Sequence, residues 1–165
     1  MTAVRPGVAD DLVALTAIYN HYVTTSHVTF DVVPFSVEER QEWFSHYATK
    51  GPHRLLVAED DGGVVGYATS SPFRPKPGYR TTVETTVYVA ADASGRGIGN
   101  ALYARLFEVL AEEEELHRAY AGVAVPNLPS RALHLRFGFA PIGVFREVGI
   151  KFGRYIDVEW FERPL

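Results

Sequence analysis

Thr81–Leu110, TTVETTVYVAADASGRGIGNALYARLFEVL, decides the fold. Its first part, Val83 to Val89, is dense in β-branched and aromatic residues and predicts a strand. Its last part carries Leu102, Leu106, Val109 and Leu110 on one face of a helix. Between them, Ser94-Gly95-Arg96-Gly97-Ile98-Gly99-Asn100 sets three glycines at alternate positions. Glycines in such a turn let backbone N–H groups converge with no Cβ in the way. A helix beginning there adds its unpaired N–H donors and the positive end of its dipole, which together suit a phosphate-bearing ligand.

Two common phosphate loops do not fit. A P-loop requires Lys-Ser or Lys-Thr after its glycines, and neither follows here. A dinucleotide fingerprint requires Gly-x-Gly-x-x-Gly, but Asn100 or Leu102 stands at the sixth position. The window resembles instead the pyrophosphate loop of the GNAT acetyltransferases, Gln/Arg-x-x-Gly-x-Gly/Ala after a Val-Tyr-Val strand. Only the first position departs, where Ser94 stands for Gln or Arg. This removes a long side chain near the phosphates and leaves the backbone cradle. The resemblance implies acetyl-CoA as co-substrate, held at Gly95, Arg96, Gly97, Ile98, Gly99 and Asn100. Backbone groups of Val87, Tyr88 and Val89 would serve its pantetheine arm where neighbouring strands splay apart.

Composition bounds the remaining possibilities. A chain of 165 residues suits one domain that buries ~70% of its unfolded surface. A net charge of −4 gives no support for nucleic-acid binding. The absence of cysteine excludes disulfides, thiolate catalysis and Cys-ligated zinc. The six histidines match no metal spacing, so no metal is expected. The start of the sequence lacks the apolar run of a signal peptide, and no stretch reaches membrane-spanning length; a cytoplasmic location is expected.

Taken in order, Val4-Arg5-Pro6 reads as an edge strand and Asp10-Asp11 opens a helix with Leu12, Leu15, Ile18, Tyr19 and Tyr22 on one face. Ser36-Val37-Glu38-Glu39 is a capping box for a second helix bearing Trp43, Phe44 and Tyr47, with a stop at Gly51-Pro52. Leu55–Glu59 and Val64–Ser70 are strands joined through Asp60-Asp61-Gly62-Gly63. Ser71–Arg80 is an irregular loop. After the central helix, Glu112–Glu115 reads as its solvated end. Tyr120–Val125 is a strand, Asn127 starts a short helix that ends before Gly138, and Phe145–Ile150 and Tyr155–Phe161 are the last strands. The order β-α-α-β-β-β-α-β-α-β-β predicts a single α/β domain over residues 1–165, a mixed sheet with helices on both faces. That order is also the order of the GNAT fold.

The resemblance covers nearly the whole chain. Tyr19-Asn20-His21-Tyr22, Leu56-Val57-Ala58-Glu59, Thr82 to Val89, Pro126-Asn127, His134 with Phe137-Gly138-Phe139, and Asp157-Val158 are similar to phosphinothricin N-acetyltransferases. Phe73-Arg74-Pro75, Gly78-Tyr79-Arg80 and Lys151-Phe152-Gly153-Arg154 are more similar to relatives acting on methionine sulfone and methionine sulfoximine. The resemblance implies acetylation of the α-amino group of a glutamate-like amino acid analogue, and a homodimer, with the helix around Trp43 and Phe44 as a candidate interface.

Acetyl transfer to an amine needs a proton acceptor, since an α-amino group is mostly ammonium near neutrality. Glu84 interrupts a Thr/Val-rich strand just before the glycine turn, where half-burial would raise its pKa. The resemblance makes it the general base; the alternative is an outward-facing glutamate. His134 is the second candidate, as an acid/base or as a polar contact near the thioester. Asn127 is an N-cap, a contact to the pantetheine arm, or both; Ser130 in the same helix start joins the cofactor set. Arg74 and Arg80 could receive the carboxylate and anionic head of the substrate, with Phe30 and Tyr79 as walls and Lys76 in solvent. His21 and His27 lie on the substrate side of the sequence. Two other readings stand beside this one: a GNAT enzyme for another amine, such as a protein N-terminus or a polyamine, and a silent acetyl-CoA-binding module.

Overall fold

β-branched and aromatic runs place seven strands, and apolar stripes place four helices. A computed structural model describes residues 2–165. The elements follow as β1 (Ala3–Pro6), α1 (Leu12–Thr25), α2 (Val37–Ser45), β2 (Arg54–Asp60), β3 (Gly63–Pro72) and β4 (Thr82–Val89). Then come α3 (Ile98–Leu110), β5 (Arg118–Ala124), α4 (Leu128–Arg136), β6 (Ala140–Lys151) and β7 (Arg154–Pro164). This is the order read from the sequence. One sheet holds all seven strands in the order β1-β2-β3-β4-β5-β7-β6. Only β4 and β5 run parallel, because the α3 crossover between them returns the chain to the same edge.

Each face of the sheet buries its own cluster. Leu56, Ala58, Ala68 and Val83 pack against Leu102, Leu106 and Leu110 of α3. Leu55, Val57 and Tyr67 pack against Leu15 and Ile18 of α1, with Trp43 and Phe44 of α2 covering them. Residues of opposite parity along β2 therefore serve opposite cores, as strand alternation requires. Trp43 and Phe44 face this inner cluster, so the helix expected as an interface spends its aromatic side inside the protomer. Exposed apolar side chains gather elsewhere, on β6 and the β6–β7 turn: Ile142, Phe145, Val148, Ile150, Phe152 and Tyr155 are each at least half exposed.

Several boundaries differ from the sequence reading. α2 stops at Ser45, with His46 as its cap, well before Gly51-Pro52. β3 runs on through Ser71 and Pro72, and the following loop holds one 3-10 turn at Pro77–Tyr79. α3 ends at Leu110, and Glu113 is not simply solvated. Its carboxylate lies 2.6 Å from Arg54 Nη2 and accepts the Gly51 N–H at 2.8 Å. Arg54 is buried, and its remaining donors reach the Gly51 and Thr49 carbonyls. The pairing holds Glu113 below its ordinary pKa. Removing this carboxylate leaves a buried cation with no counter-charge. Glu113→Ala should destabilise the protein by about 2–3 kcal/mol in denaturant unfolding, below the ~3–5 kcal/mol of a wholly buried pair because Glu113 is partly exposed. A loss under ~0.5 kcal/mol would mean that the carbonyls alone hold Arg54.

Candidate active site

Along one seam of the sheet, neighbouring strands part for most of their length. β4 pairs with β5 only from Thr82 to Glu84, against Arg118 to Tyr120. β3 stays paired with β4 as far as Val89, and β5 stays paired with β7 as far as Ala124. The two strands therefore diverge after Glu84, and the β5-facing edge of Thr85–Val89 has no strand partner. A cleft of about 600 Å³ fills the opening, walled by Thr85–Val89, Gly122–Ala124, the glycine turn and α4. Tyr22 of α1 reaches in and donates to the Val89 carbonyl at 2.6 Å, which leaves the Val87 N–H and C=O open to a ligand, while the backbone groups of Tyr88 turn to β3.

The glycine turn closes one end of the cleft. Gly95 and Gly97 have φ of +78° and +80°, a region that favours glycine, and Gly97 is the N-cap of α3. No side chain caps α3, so its first N–H groups face the cleft end unpartnered. Ser94, Gly95, Gly97, Ile98, Gly99 and Asn100 all line the cleft. Asn100 Oδ1 is buried with no hydrogen-bond partner. Arg96 does not line the cleft; its guanidinium turns out to Asp60 in the β2–β3 hairpin, at 2.6 Å. The sequence reading placed Arg96 among the phosphate contacts, and its side chain is instead a tie between two turns. Asn127 caps α4 by accepting the Ser130 N–H at 3.2 Å and also lines the cleft, as does Ser130.

Side chains alternate along β4, so Glu84 belongs to the opposite face from Thr85. A second cavity of about 360 Å³ lies there, between the sheet and helices α1 and α2. Glu84, Thr86 and Tyr88 form its floor. Thr86 and Tyr88 also line the cleft, so the two spaces meet at β4. Burial raises the Glu84 pKa above 4.5, and the charge of Arg74 partly opposes the shift. No group among the described residues donates a hydrogen bond to its carboxylate. A desolvated, unpartnered carboxylate in a cavity is what proton abstraction requires.

His134 is in the cleft wall but fully engaged. Its Nδ1 donates to the Ser130 carbonyl at 2.7 Å, which leaves Nε2 to accept from the Tyr103 hydroxyl at 3.0 Å. Burial lowers its pKa and keeps it neutral. Its ring stacks on Phe161, with centroids 5.5 Å apart. Of the two roles read from the sequence, this geometry favours the polar contact: Tyr103 passes the hydrogen-bond chain on to Thr85, 3.3 Å away, in the cleft.

Residues 7–160 match the acetyltransferase (GNAT) domain family. The chain belongs to the GNAT acetyltransferases. It is 60% identical over 164 residues to a phosphinothricin N-acetyltransferase of Streptomyces coelicolor, covering 98% of this chain and 95% of that protein. It is 37% identical to an L-methionine sulfoximine/L-methionine sulfone acetyltransferase of Pseudomonas aeruginosa, covering 99% of this chain and 94% of that protein. Among solved structures, a phosphinothricin acetyltransferase from Sinorhizobium meliloti in complex with acetyl-CoA superposes with a TM-score of 0.90. It is 33% identical, over 99% of this chain and 88% of that one.

The expected substrate side of this acetyltransferase is only partly assembled. Arg74 is exposed, lies over the Phe73 ring at 4.3 Å and is near enough to act on Glu84. Phe30, Tyr79 and Arg80 line neither cavity. Phe30 packs against Gly149, where a Cβ would stand 2.2 Å from its ring, and Tyr79 packs against Phe73. His21 and His27 line neither cavity either; His27 contacts the Pro126 carbonyl at 2.9 Å. The second cavity is lined instead by Tyr19, Asp31, Arg40, Trp43, Tyr47 and Tyr67, none of which the sequence reading assigned to a site. One signal was present: Arg40, Trp43, Phe44 and Tyr47 recur at i, i+3, i+4, i+7, so a cation sits on an apolar stripe.

Because the folded pKa of Glu84 is raised, its ionised form opposes folding, fully above that pKa and not at all below 4.5. Glu84→Gln should therefore be more stable than the parent at pH 7, with the difference closing as pH falls toward 4.5. Unfolding curves at pH 7 and pH 4 measure it. Equal or lower stability of the variant at pH 7 would contradict a desolvated carboxylate.

Proposed function

We propose that the chain transfers acetyl from acetyl-CoA to the α-amino group of a glutamate-like amino acid analogue, in the class of phosphinothricin, methionine sulfoximine and methionine sulfone, with Glu84 as general base. The observation that carries this reading is the meeting of the two cavities at β4, with Glu84 in one and the unpaired backbone of Val87 in the other. The names and coverage of the relatives support the substrate class.

The cleft fits an acyl-CoA. The uncapped start of α3 and the positive-φ glycines offer N–H donors to a pyrophosphate, and the open edge of β4 offers amide partners to a pantetheine arm. Acetyl-CoA supplies the thioester carbonyl that is attacked. Glu84 takes a proton from the substrate ammonium, directly or through a water, and so frees the nitrogen lone pair; as the C–N bond forms the C–S bond breaks, and coenzyme A leaves as the thiol with the second proton that the nitrogen sheds. Thr86 and Tyr88, shared by both cavities, set how closely the amine approaches the cleft. His134 and Tyr103 hold the cleft wall in place rather than exchange protons. The substrate is a small molecule, and neither nucleic acid nor membrane takes part; no helix among the described residues is long and apolar enough to cross a membrane. The enzyme acts in the cytoplasm as a homodimer, supported by the exposed apolar side chains of β6 and its turn.

A thiol-release assay with the three analogues, spermidine and an N-terminal peptide tests the reading. Turnover of the amino acid analogues is expected; turnover confined to peptide or polyamine would overturn the substrate class. Glu84→Gln should lower kcat by about 10²–10⁴-fold and remove the acidic limb of the pH profile, which in the parent lies above the ordinary glutamate value. Unchanged kcat would remove Glu84 as the base. Sedimentation should give twice the mass of one chain, falling to one on Phe145→Asp; a monomeric parent would contradict the dimer.

A further inference from the structure

Arg40 is the one cation built into the second cavity, and no group among the described residues neutralises it. It is 5% exposed, and neither its Nε nor its Nη2 has a hydrogen-bond partner. It forms no ion pair among the described residues. What surrounds it is aromatic: its guanidinium carbon lies 3.6 Å from the Trp43 ring centre and 4.6 Å from that of Tyr19. Those ring faces hold the cation in place and offset part of its desolvation, yet they leave its Nε and Nη2 donors unused. Buried guanidinium groups are ordinarily satisfied by carboxylates or carbonyls, as Arg54 is here.

The carboxylates that share the cavity are committed elsewhere or do not reach it. Asp31 accepts from the Tyr19 hydroxyl, and Glu39 accepts the Ser36 N–H to close the capping box of α2. Glu84 lines the same cavity with no ion-pair partner. A single small space thus holds a free carboxylate and a free guanidinium. An ammonium and an anion on one small molecule complement that pair.

We propose that Arg40 receives the anionic oxygens of the substrate, the α-carboxylate of the amino acid in the first place, while its amine turns to Glu84. This rests on the acetyl-transfer reading above and deepens it: the enzyme selects amino acids over simple amines through a cation fixed on α2. The shared chemistry is a pair of anionic oxygens, and a phosphinate head group offers it as well as a carboxylate does.

The test compares phosphinothricin, methionine sulfone and methionine sulfone carboxamide in the parent and in Arg40→Gln. The variant should raise KM for the two acids by roughly tenfold to a hundredfold and leave KM for the carboxamide and for acetyl-CoA unchanged. A rise confined to phosphinothricin also supports the proposal and assigns the phosphinate to Arg40. Equal losses on acids and carboxamide would overturn it and make Arg40 a packing residue. Should Arg40→Gln not fold, the parent alone decides: the free acid must show a KM roughly tenfold or more below that of its carboxamide, and equal values sink the proposal. A parent that releases thiol with none of the three fails the acetyl-transfer reading itself, an outcome separate from the losses measured in the variant.

Discussion

The organisation of this protein depends on one interrupted set of hydrogen bonds. A seven-stranded sheet satisfies its backbone groups by pairing each inner strand with two neighbours, and here β4 and β5 stop pairing after Glu84. Unpaired backbone is tolerable only where water or a ligand takes the place of the strand. The divergence is held from outside the seam: β3 fixes one strand to its end, β7 fixes the other, and Tyr22 anchors the Val89 carbonyl from α1. The cleft is therefore set by the sheet, and the loops only finish it.

Strand alternation then does the chemical sorting. Odd residues of β4 face α3, where Thr85 continues the Tyr103–His134 chain. Even residues face α1 and α2, where Glu84 loses solvent without gaining a donor. One strand thus presents a carboxylate at Glu84 to one cavity and open backbone at Val87 to the other. A register slip of one position would exchange the two faces and abolish the arrangement.

Most of the fold was legible because it was written locally. The capping box at Ser36, the Asp60–Gly63 turn and the alternating runs of β2 to β4 each specify an element without reference to the rest of the chain. The glycine turn was legible for the same reason. What sequence could not show were partners brought together by folding. Arg96 meets Asp60 36 residues away, and Arg54 meets Glu113 across 59. The loop arginines looked like substrate ligands because they precede Glu84 in sequence, yet Arg80 stays outside both cavities, and a helix more than forty residues upstream of Glu84 supplies Arg40. His134 carried the right chemistry for catalysis, but only the packing of Ser130 and Tyr103 around it shows both nitrogens in use.

The central claim is that the seam receives an acyl-CoA while the cavity beneath α2 receives an amino acid, and that they meet at Glu84. A crystal structure with coenzyme A and methionine sulfone bound together tests it most directly. The account predicts a pantetheine amide on the Val87 backbone, the pyrophosphate at the start of α3, and the amine within hydrogen-bond or single-water reach of Glu84. An amino acid bound outside the α1–α2 cavity, or a pantetheine arm that leaves the β4 edge free, would contradict it.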